Sequence, residues 1–192
     1  MRLEKAHIAF RSLLQTTTFE DVNAAWSDFL IASHGIYTKL EQGAKSSQKS
    51  TYWFGKKKCE RKQDPLLNYL HHARNSDEHR LDPITFEEPA QVYTSGDTKG
   101  RVGEAIIGNQ ITGGLGVKSH AITLRYSDGG GVSIKITNPQ PKLARVKNYN
   151  VYYDPPLSHL GSSLEDSSLI RVAELGLLYF DRLVAEAEAL VE

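Results

Sequence analysis

The sequence predicts an α+β fold in which a four-helix up-and-down bundle carries a small antiparallel β-sheet between its third and fourth helices. Two observations predict it. Apolar residues recur every three or four positions before residue 83 and again after residue 162, which is the period of amphipathic helices. Between these segments the period changes to two, as in strands. We expect one domain made of a helical part at 1–83, a β-rich insertion at 84–161 and a closing helix at 162–192.

Composition restricts the classes of protein. The chain has 192 residues, of which 40% are hydrophobic, so it can form a core and is unlike a disordered chain. Lys plus Arg and Asp plus Glu both number 23, so no global positive field gathers nucleic acid. Cys59 is the only cysteine, which excludes an internal disulfide and a multi-thiolate zinc site. A charged N-terminus and short apolar runs favour a cytoplasmic protein without membrane contact.

The first two helices follow from periodicity and capping. Residues 2–15 place apolar side chains at helical spacing, and a run of three threonines then interrupts the pattern. Thr18 and Asp21 form an N-cap pattern for a second helix, which should run to about Gln42.

A third helical region covers about 51–81. It contains Asp64 followed by Pro65, which marks a break, because aspartate caps helices and proline suits the first helical turn. Only the three N-terminal helices together have enough apolar surface to cover the long stripe of the last helix, and this favours a bundle.

The last helix is predicted from a capping box made by Ser162 and Glu165. Its apolar stripe continues to the end of the chain. A second apolar face, formed by Leu175, Leu178 and Tyr179, would suit a dimer.

The β-rich insertion centres on one hairpin. Residues 120–126 and 132–137 alternate apolar and polar side chains, and a segment of one aspartate and three glycines at 128–131 suits a tight reversal. Two further strands and a Gly-rich loop are expected at 105–110, 148–153 and 112–116.

The polar residues of the third helical region carry the candidate chemistry. Arg74 falls on the apolar side of the helix, where an unpaired guanidinium would cost several kcal/mol, so it needs anions or acceptors. Asn75 and His79 are four residues apart and share a different face. One straight helix would therefore not bring Arg74 and His79 together, so either the helix ends between them or a second chain completes the site.

The segment from Arg74 to His79, with the preceding context from Leu70 to Asn75, resembles the Arg-x4–6-His motif of the HEPN superfamily. This resemblance implies a four- to five-helix bundle that dimerises so that two motifs face one cleft. Many members with the motif are metal-independent ribonucleases, found as toxins or as effectors of antiviral defence. The resemblance therefore implies a homodimer, an RNA substrate, no cofactor or metal, and a protein antitoxin as a further partner.

These residue types suit metal-free RNA cleavage. Histidine, with an ordinary pKa of about 6.5, can take the 2′-OH proton or protonate the leaving oxygen, which assigns that role to His79. Arg74 stays protonated and offers a fork of donors to phosphate oxygens, and Asn75 can orient the phosphate or the histidine. The sequence interpretation is a metal-independent endoribonuclease with catalytic Arg74, His79 and Asn75.

Structural roles compete with this interpretation. Arg74 can pair with Asp28 or another helix-borne carboxylate, and His79 can interact with the helix macrodipole. The bundle would then be a non-catalytic dimerisation or partner-binding module. The insertion and its Gly-rich loop can instead bind a ligand, with the bundle as a scaffold. Zinc is a weaker alternative, whose ligands would come from His71, His72, Asp77, Glu78 and His79.

One dense basic cluster precedes the motif and is the candidate RNA-binding surface. It is formed by Lys56, Lys57, Lys58, Arg61 and Lys62, with Tyr52, Trp53 and Phe54 just before it. Aromatic rings beside cations can stack bases and hold phosphates. The competing interpretation is a solvated helix face.

Overall fold

The computed structural model describes residues 2–80, 83–89, 92–96, 102–111, 118–127, 129–136 and 139–190, without the side chains of 79–80, 102–111 and 118–121. Within these ranges the chain forms four α-helices, ten β-strands in four sheets and a last α-helix. The helices are α1 (Arg2–Gln15), α2 (Phe19–Ala44), α3 (Gln48–Gln63), α4 (Pro65–Arg80) and α5 (Leu169–Glu188). None of the described helices is long and apolar enough to cross a membrane.

The starts of the first two helices are confirmed. Helix α1 covers the predicted range, and the side chain of Thr18 caps α2 by accepting a hydrogen bond from the Asp21 N–H at 3.1 Å. Helix α2 ends at Ala44, two residues beyond the predicted end.

The predicted four-helix bundle with a sheet between its third and fourth helices is wrong. The described chain has five helices, and in the sequence its strands follow α4 and precede α5. The reason lies at Asp64. Its extended backbone ends α3, and its Oδ1 accepts the Leu67 N–H at 2.9 Å to begin α4. Pro65 lacks an N–H, so this residue loses nothing by starting a helix.

The predicted capping box of the last helix is also wrong. Ser162 belongs to β10 (Ser162–Ser163), which pairs with β9 (Ser158–His159). Helix α5 begins at Leu169 instead, where the side chain of Ser168 accepts the Arg171 N–H.

Helix α2 forms the centre of the helical core, because it packs against each of the other four helices. Trp26 and Phe29 on α2 are fully buried and stack with ring centroids 5.6 Å apart. Tyr69 on α4 and Phe180 on α5 are buried with them. His34 lies on the same helix, about two turns after Trp26, and its ring faces α4.

The described chain divides into two compact units, Met1–Phe86 with Lys142–Glu192, and Glu87–Pro141. Besides the helices, the first unit contains β9, β10, β7 (Val146–Asn148) and β8 (Val151–Tyr153), which forms a hairpin with β7. Both β7 and β9 contact α4. A further pair of strands is β1 (Thr85–Glu88) with β6 (Gln140–Leu143).

The second unit holds one antiparallel sheet with the strand order β2-β5-β4-β3. Its strands are β2 (Val92–Gly96), β3 (Val102–Ile111), β4 (Lys118–Tyr126) and β5 (Gly131–Ile136). The predicted hairpin is confirmed as β4–β5, with Ile122 opposite Ile134. Gly131 is required at its turn, because a Cβ there would lie 2.6 Å from the Leu124 carbonyl oxygen. The predicted loop at 112–116 and Asp128 lie outside the described residues.

Candidate functional site

Arg74 lies on α4 with a mostly buried side chain, of which 18% is exposed. Its Nη1 donates to Asn75 Oδ1 at 3.2 Å, and its Nη2 forms an ion pair with Glu78, one helical turn later. Its Nε is buried without a hydrogen-bond partner in the described chain. Two of the three guanidinium nitrogens therefore have acceptors, and the carboxylate partner is Glu78 rather than Asp28.

The structure describes the side chains of Arg74 and Asn75, but only the backbone of His79, the third predicted catalytic residue. Arg74 and Asn75 are in direct contact, so the structure brings these two together. His79 lies near the end of α4, whose last residue is Arg80. The His79 side chain is outside the described residues. Helix α4 is continuous from Arg74 through His79. The predicted alternative, in which the helix ends between these two residues, is therefore wrong.

A chain of aromatic and imidazole rings lies on and around α4, and the sequence interpretation missed it. The ring centroids of His34 and His71 are 6.2 Å apart, and those of His71 and His72 are 5.0 Å apart. His72 stacks on Tyr153 at 3.6 Å, and its Nδ1 lies 2.9 Å from Asn148 Nδ2. His71 and His72 are half-buried.

Burial keeps these histidines neutral near pH 7. It lowers the pKa of His71 to about 4, and the charges of Arg61 and Arg74 act in the same direction. Burial and the Arg74 charge likewise lower the pKa of His34, against the opposing effect of Glu78. The Nδ1 of His34 is buried without a partner in the described chain. His34 is therefore a neutral imidazole within electrostatic reach of Arg74.

A signal for His34 was present in the sequence. It stands four residues after Leu30 and three before Tyr37, both of which belong to the buried stripe of α2. A histidine at such a position faces a neighbouring helix. Which helix it faces depends on tertiary packing, and a single helical pattern does not contain that information.

A small cavity lies beside these rings. Ser33 and His34 of α2, Arg61 of α3 and His71 of α4 are among its lining residues, and its volume is about 20 Å³. This space holds about one water molecule and cannot enclose a nucleotide. The cavity is therefore too small to be a substrate site.

The basic cluster on α3 is largely engaged within the protein. Lys57 is paired with Glu186 at 3.0 Å and Lys58 with Glu41 at 2.7 Å. Arg61 lies over the Tyr37 ring at 4.6 Å, and Lys56 over the Tyr52 ring at 4.5 Å. Two of the five cations are thus ion-paired with other helices and two lie over aromatic rings, while Lys62 is exposed. Among the five cations, only Arg61 lines the small cavity beside the histidine rings.

The aromatic residues before the cluster are divided in the same way. Phe54 is buried, and Trp53 donates its indole N–H to Glu186 at 3.0 Å. Tyr52 is 68% exposed. Of the predicted RNA-binding segment, Tyr52, Lys56 and Lys62 are therefore exposed at the surface.

Within the described residues, no group of three His, Cys, Asp or Glu side chains could hold a metal ion. Two of the side chains considered as zinc ligands have other partners. Asp77 accepts a hydrogen bond from Ser27 Oγ, and Glu78 is paired with Arg74.

Comparisons with protein-family models, with curated proteins and with solved structures find no match to this chain.

Proposed function

We propose that the protein is a metal-independent endoribonuclease of the HEPN type that acts in the cytoplasm as a homodimer. Arg74 is the fixed cation, Asn75 orients the guanidinium or the phosphate, and His79 transfers the proton. The observation that supports this proposal is the mostly buried guanidinium of Arg74, whose Nη1 donates to Asn75 at 3.2 Å and whose Nη2 holds an anionic group, the Glu78 carboxylate.

The reaction follows from these groups. A neutral imidazole takes the proton of the ribose 2′-OH, and the freed oxygen attacks the adjacent phosphorus. The bond to the 5′-oxygen breaks, and that oxygen takes a proton from an imidazolium, which the second copy of the chain supplies. Arg74 donates to the non-bridging oxygens, whose negative charge grows in the transition state. The products carry a 2′,3′-cyclic phosphate and a 5′-hydroxyl group.

Glu78 acts as a substitute for the substrate phosphate in the free protein. It occupies Nη2 of Arg74, which a phosphate oxygen would use. Only 18% of the Arg74 side chain and 30% of the Glu78 side chain are exposed, so the guanidinium needs an anion at this position. A phosphate that replaces Glu78 meets this need, because it supplies an anion in place of the carboxylate.

Cleavage in a chelator tests this proposal. We expect purified protein to cut single-stranded RNA in excess EDTA and to leave 2′,3′-cyclic phosphate ends, because proton transfer and charge stabilisation both come from side chains. The products are measured by gel electrophoresis and by phosphatase sensitivity of the ends. Arg74→Ala protein is the negative control for a contaminating nuclease. Absence of cutting by the wild-type protein would contradict the proposal.

The ion pair of Arg74 with Glu78 also favours a second function, a non-catalytic dimerisation or partner-binding module. In that case Arg74 stabilises α4 and no phosphate ever replaces Glu78. Arg74→Ala would then lower the melting temperature by several degrees, and neither this variant nor the wild-type protein would cleave RNA.

Glu78→Gln distinguishes the two functions. In a ribonuclease, removal of this competing charge should lower the KM for RNA severalfold, because the phosphate no longer competes with a largely buried carboxylate for Nη2. Glu174→Gln breaks a more exposed ion pair within one helix, that of Glu174 with Arg171 on α5, and should leave the KM unchanged. If neither variant nor the wild-type protein cuts RNA and Glu78→Gln only lowers the melting temperature, the non-catalytic module is supported.

A further inference from the structure

The β7–β8 hairpin of the first unit presents cations and aromatic rings to solvent. Lys147 lies opposite Tyr152 in its register, and Tyr149 and Asn150 form its two-residue turn. The exposed fraction is 87% for Tyr149 and 53% for Tyr152. We call Arg145, Lys147, Tyr149 and Tyr152 the tyrosine face.

The opposite side of this hairpin is anchored to α4. Val146 is buried, Asn148 lies 2.9 Å from the His72 ring nitrogen, and Tyr153 stacks on the same ring. Because side chains alternate along a strand, this anchoring leaves Lys147 and Tyr152 pointing outward. The contacts on the opposite side therefore attach the tyrosine face to α4.

Tyr149 is an unfavourable residue for its backbone conformation. Both turn residues have positive φ, 46° at Tyr149 and 66° at Asn150, as a two-residue hairpin turn requires. Asparagine or glycine adopts this conformation at lower cost than a bulky side chain. Leu160 also has a positive φ, of 47°, but its backbone N–H donates to Asp64 there. Tyr149 is 87% exposed, so little packing against the described residues offsets this cost, which indicates a role for the exposed ring.

Cations surround the second ring of the face. The Arg145 guanidinium lies 4.5 Å from the Tyr152 ring centroid, and the Lys147 ammonium lies 5.4 Å from it. Arg145 is also paired with the exposed Asp154 at 3.0 Å. Lys147 forms no ion pair with a described carboxylate, so its charge is available to an anionic ligand. An exposed ring beside such a cation is typical of surfaces that stack bases and hold phosphates.

We propose that the tyrosine face binds single-stranded RNA, with a base stacked on Tyr149 and a neighbouring phosphate held by Lys147. Stacking requires an unpaired base, so a duplex does not fit this mode. The choice of RNA as the nucleic acid rests on the function proposed above. The binding itself does not require cleavage.

A non-cleavable oligonucleotide tests this inference separately from catalysis. A fluorescent 2′-O-methyl RNA of ten nucleotides lacks the attacking hydroxyl, and its binding is measured by anisotropy. Tyr149→Asn should weaken binding about tenfold, because stacking on one ring contributes about 1–3 kcal/mol per base. The same variant should melt at or above the wild-type temperature, since asparagine suits the turn better.

Matched variants complete the test. Tyr149→Phe keeps the ring and should keep the affinity. Lys147→Gln removes one phosphate contact, so the slope of log Kd against the logarithm of the salt concentration should fall by about 0.7. Leu157 is 72% exposed and lies outside the tyrosine face, so Leu157→Asn should bind like the wild-type protein.

Three results would overturn the inference: no binding by the wild-type protein, unchanged affinity of Tyr149→Asn, or equal affinity for a duplex of the same length. The first would favour a protein partner for this face. Binding through Tyr149 without any RNA cleavage would support this inference and contradict the ribonuclease.

Discussion

Asp64→Ala is expected to lower the free energy of unfolding by about 3–5 kcal/mol. The carboxylate has only 4% of its side chain exposed and joins three parts of the chain. Its oxygens accept the Leu67 N–H at 2.9 Å, the Leu160 N–H at 2.6 Å and a bond from His159 Nδ1 at 3.0 Å. Loss of a helix cap costs about 1 kcal/mol, and each buried donor left without an acceptor costs about 1–3 kcal/mol.

Urea unfolding followed by circular dichroism measures this effect. Asp166→Ala is the matched control, because Asp166 also accepts two hydrogen bonds, from the N–H and Oγ of Ser168, but is exposed. It should change the free energy by less than about 1 kcal/mol. Asp64→Asn should fall between the two, since asparagine still caps α4. An effect of Asp64→Ala as small as that of the control would show that the buried network does not stabilise the fold.

The same carboxylate makes stability depend on pH. Burial raises the pKa of Asp64, but the hydrogen bonds from His159, Leu160 and Leu67 lower it by more, so it lies below its ordinary value of 3.8. A lowered folded-state pKa contributes stability that is complete above the unfolded pKa. We expect this contribution to be lost as the pH falls below about 3.8, and Asp64→Ala protein to lack that part of the acid transition.

Asp64 shows what could be predicted from the sequence. Its cap of α4 involves neighbouring residues, and Asp-Pro indicates such a break locally. The partners His159 and Leu160 lie about 95 residues away, and no local pattern indicates them. The predicted fold class failed at the same point, because treating the break as an interruption within one helix hides a fifth helix.

Arg74 shows a similar division at the candidate site. Its position on the apolar side of α4 predicts a paired guanidinium, and the structure supplies Asn75 and Glu78. The ring of His34 comes from another helix, so only tertiary packing brings it near. The basic cluster on α3 is dense in sequence, but helical geometry spreads its cations around the helix towards carboxylates on α2 and α5, such as Glu41 and Glu186.

His79→Ala is expected to lower the rate of RNA cleavage about 10²–10⁴-fold, which is the usual contribution of a general acid or base. The substitution lies near the end of α4, so the melting temperature should change little. His7→Ala is the control, because His7 lies on α1 and its Nε2 contacts Asp181 at 2.8 Å. That variant should cut RNA at the wild-type rate.

The pH dependence of cleavage identifies which imidazole accepts the proton. A base with an ordinary histidine pKa gives a rate that falls as the pH drops below about 6.5. If His79→Ala remains active while His34→Gln is inactive, the proton acceptor is His34, and His79 has no part in the mechanism. Burial lowers the pKa of His34, so the rate would then be maintained to lower pH before it falls. An acidic limb well below pH 6.5 would therefore indicate a base supplied by the facing helix, namely His34.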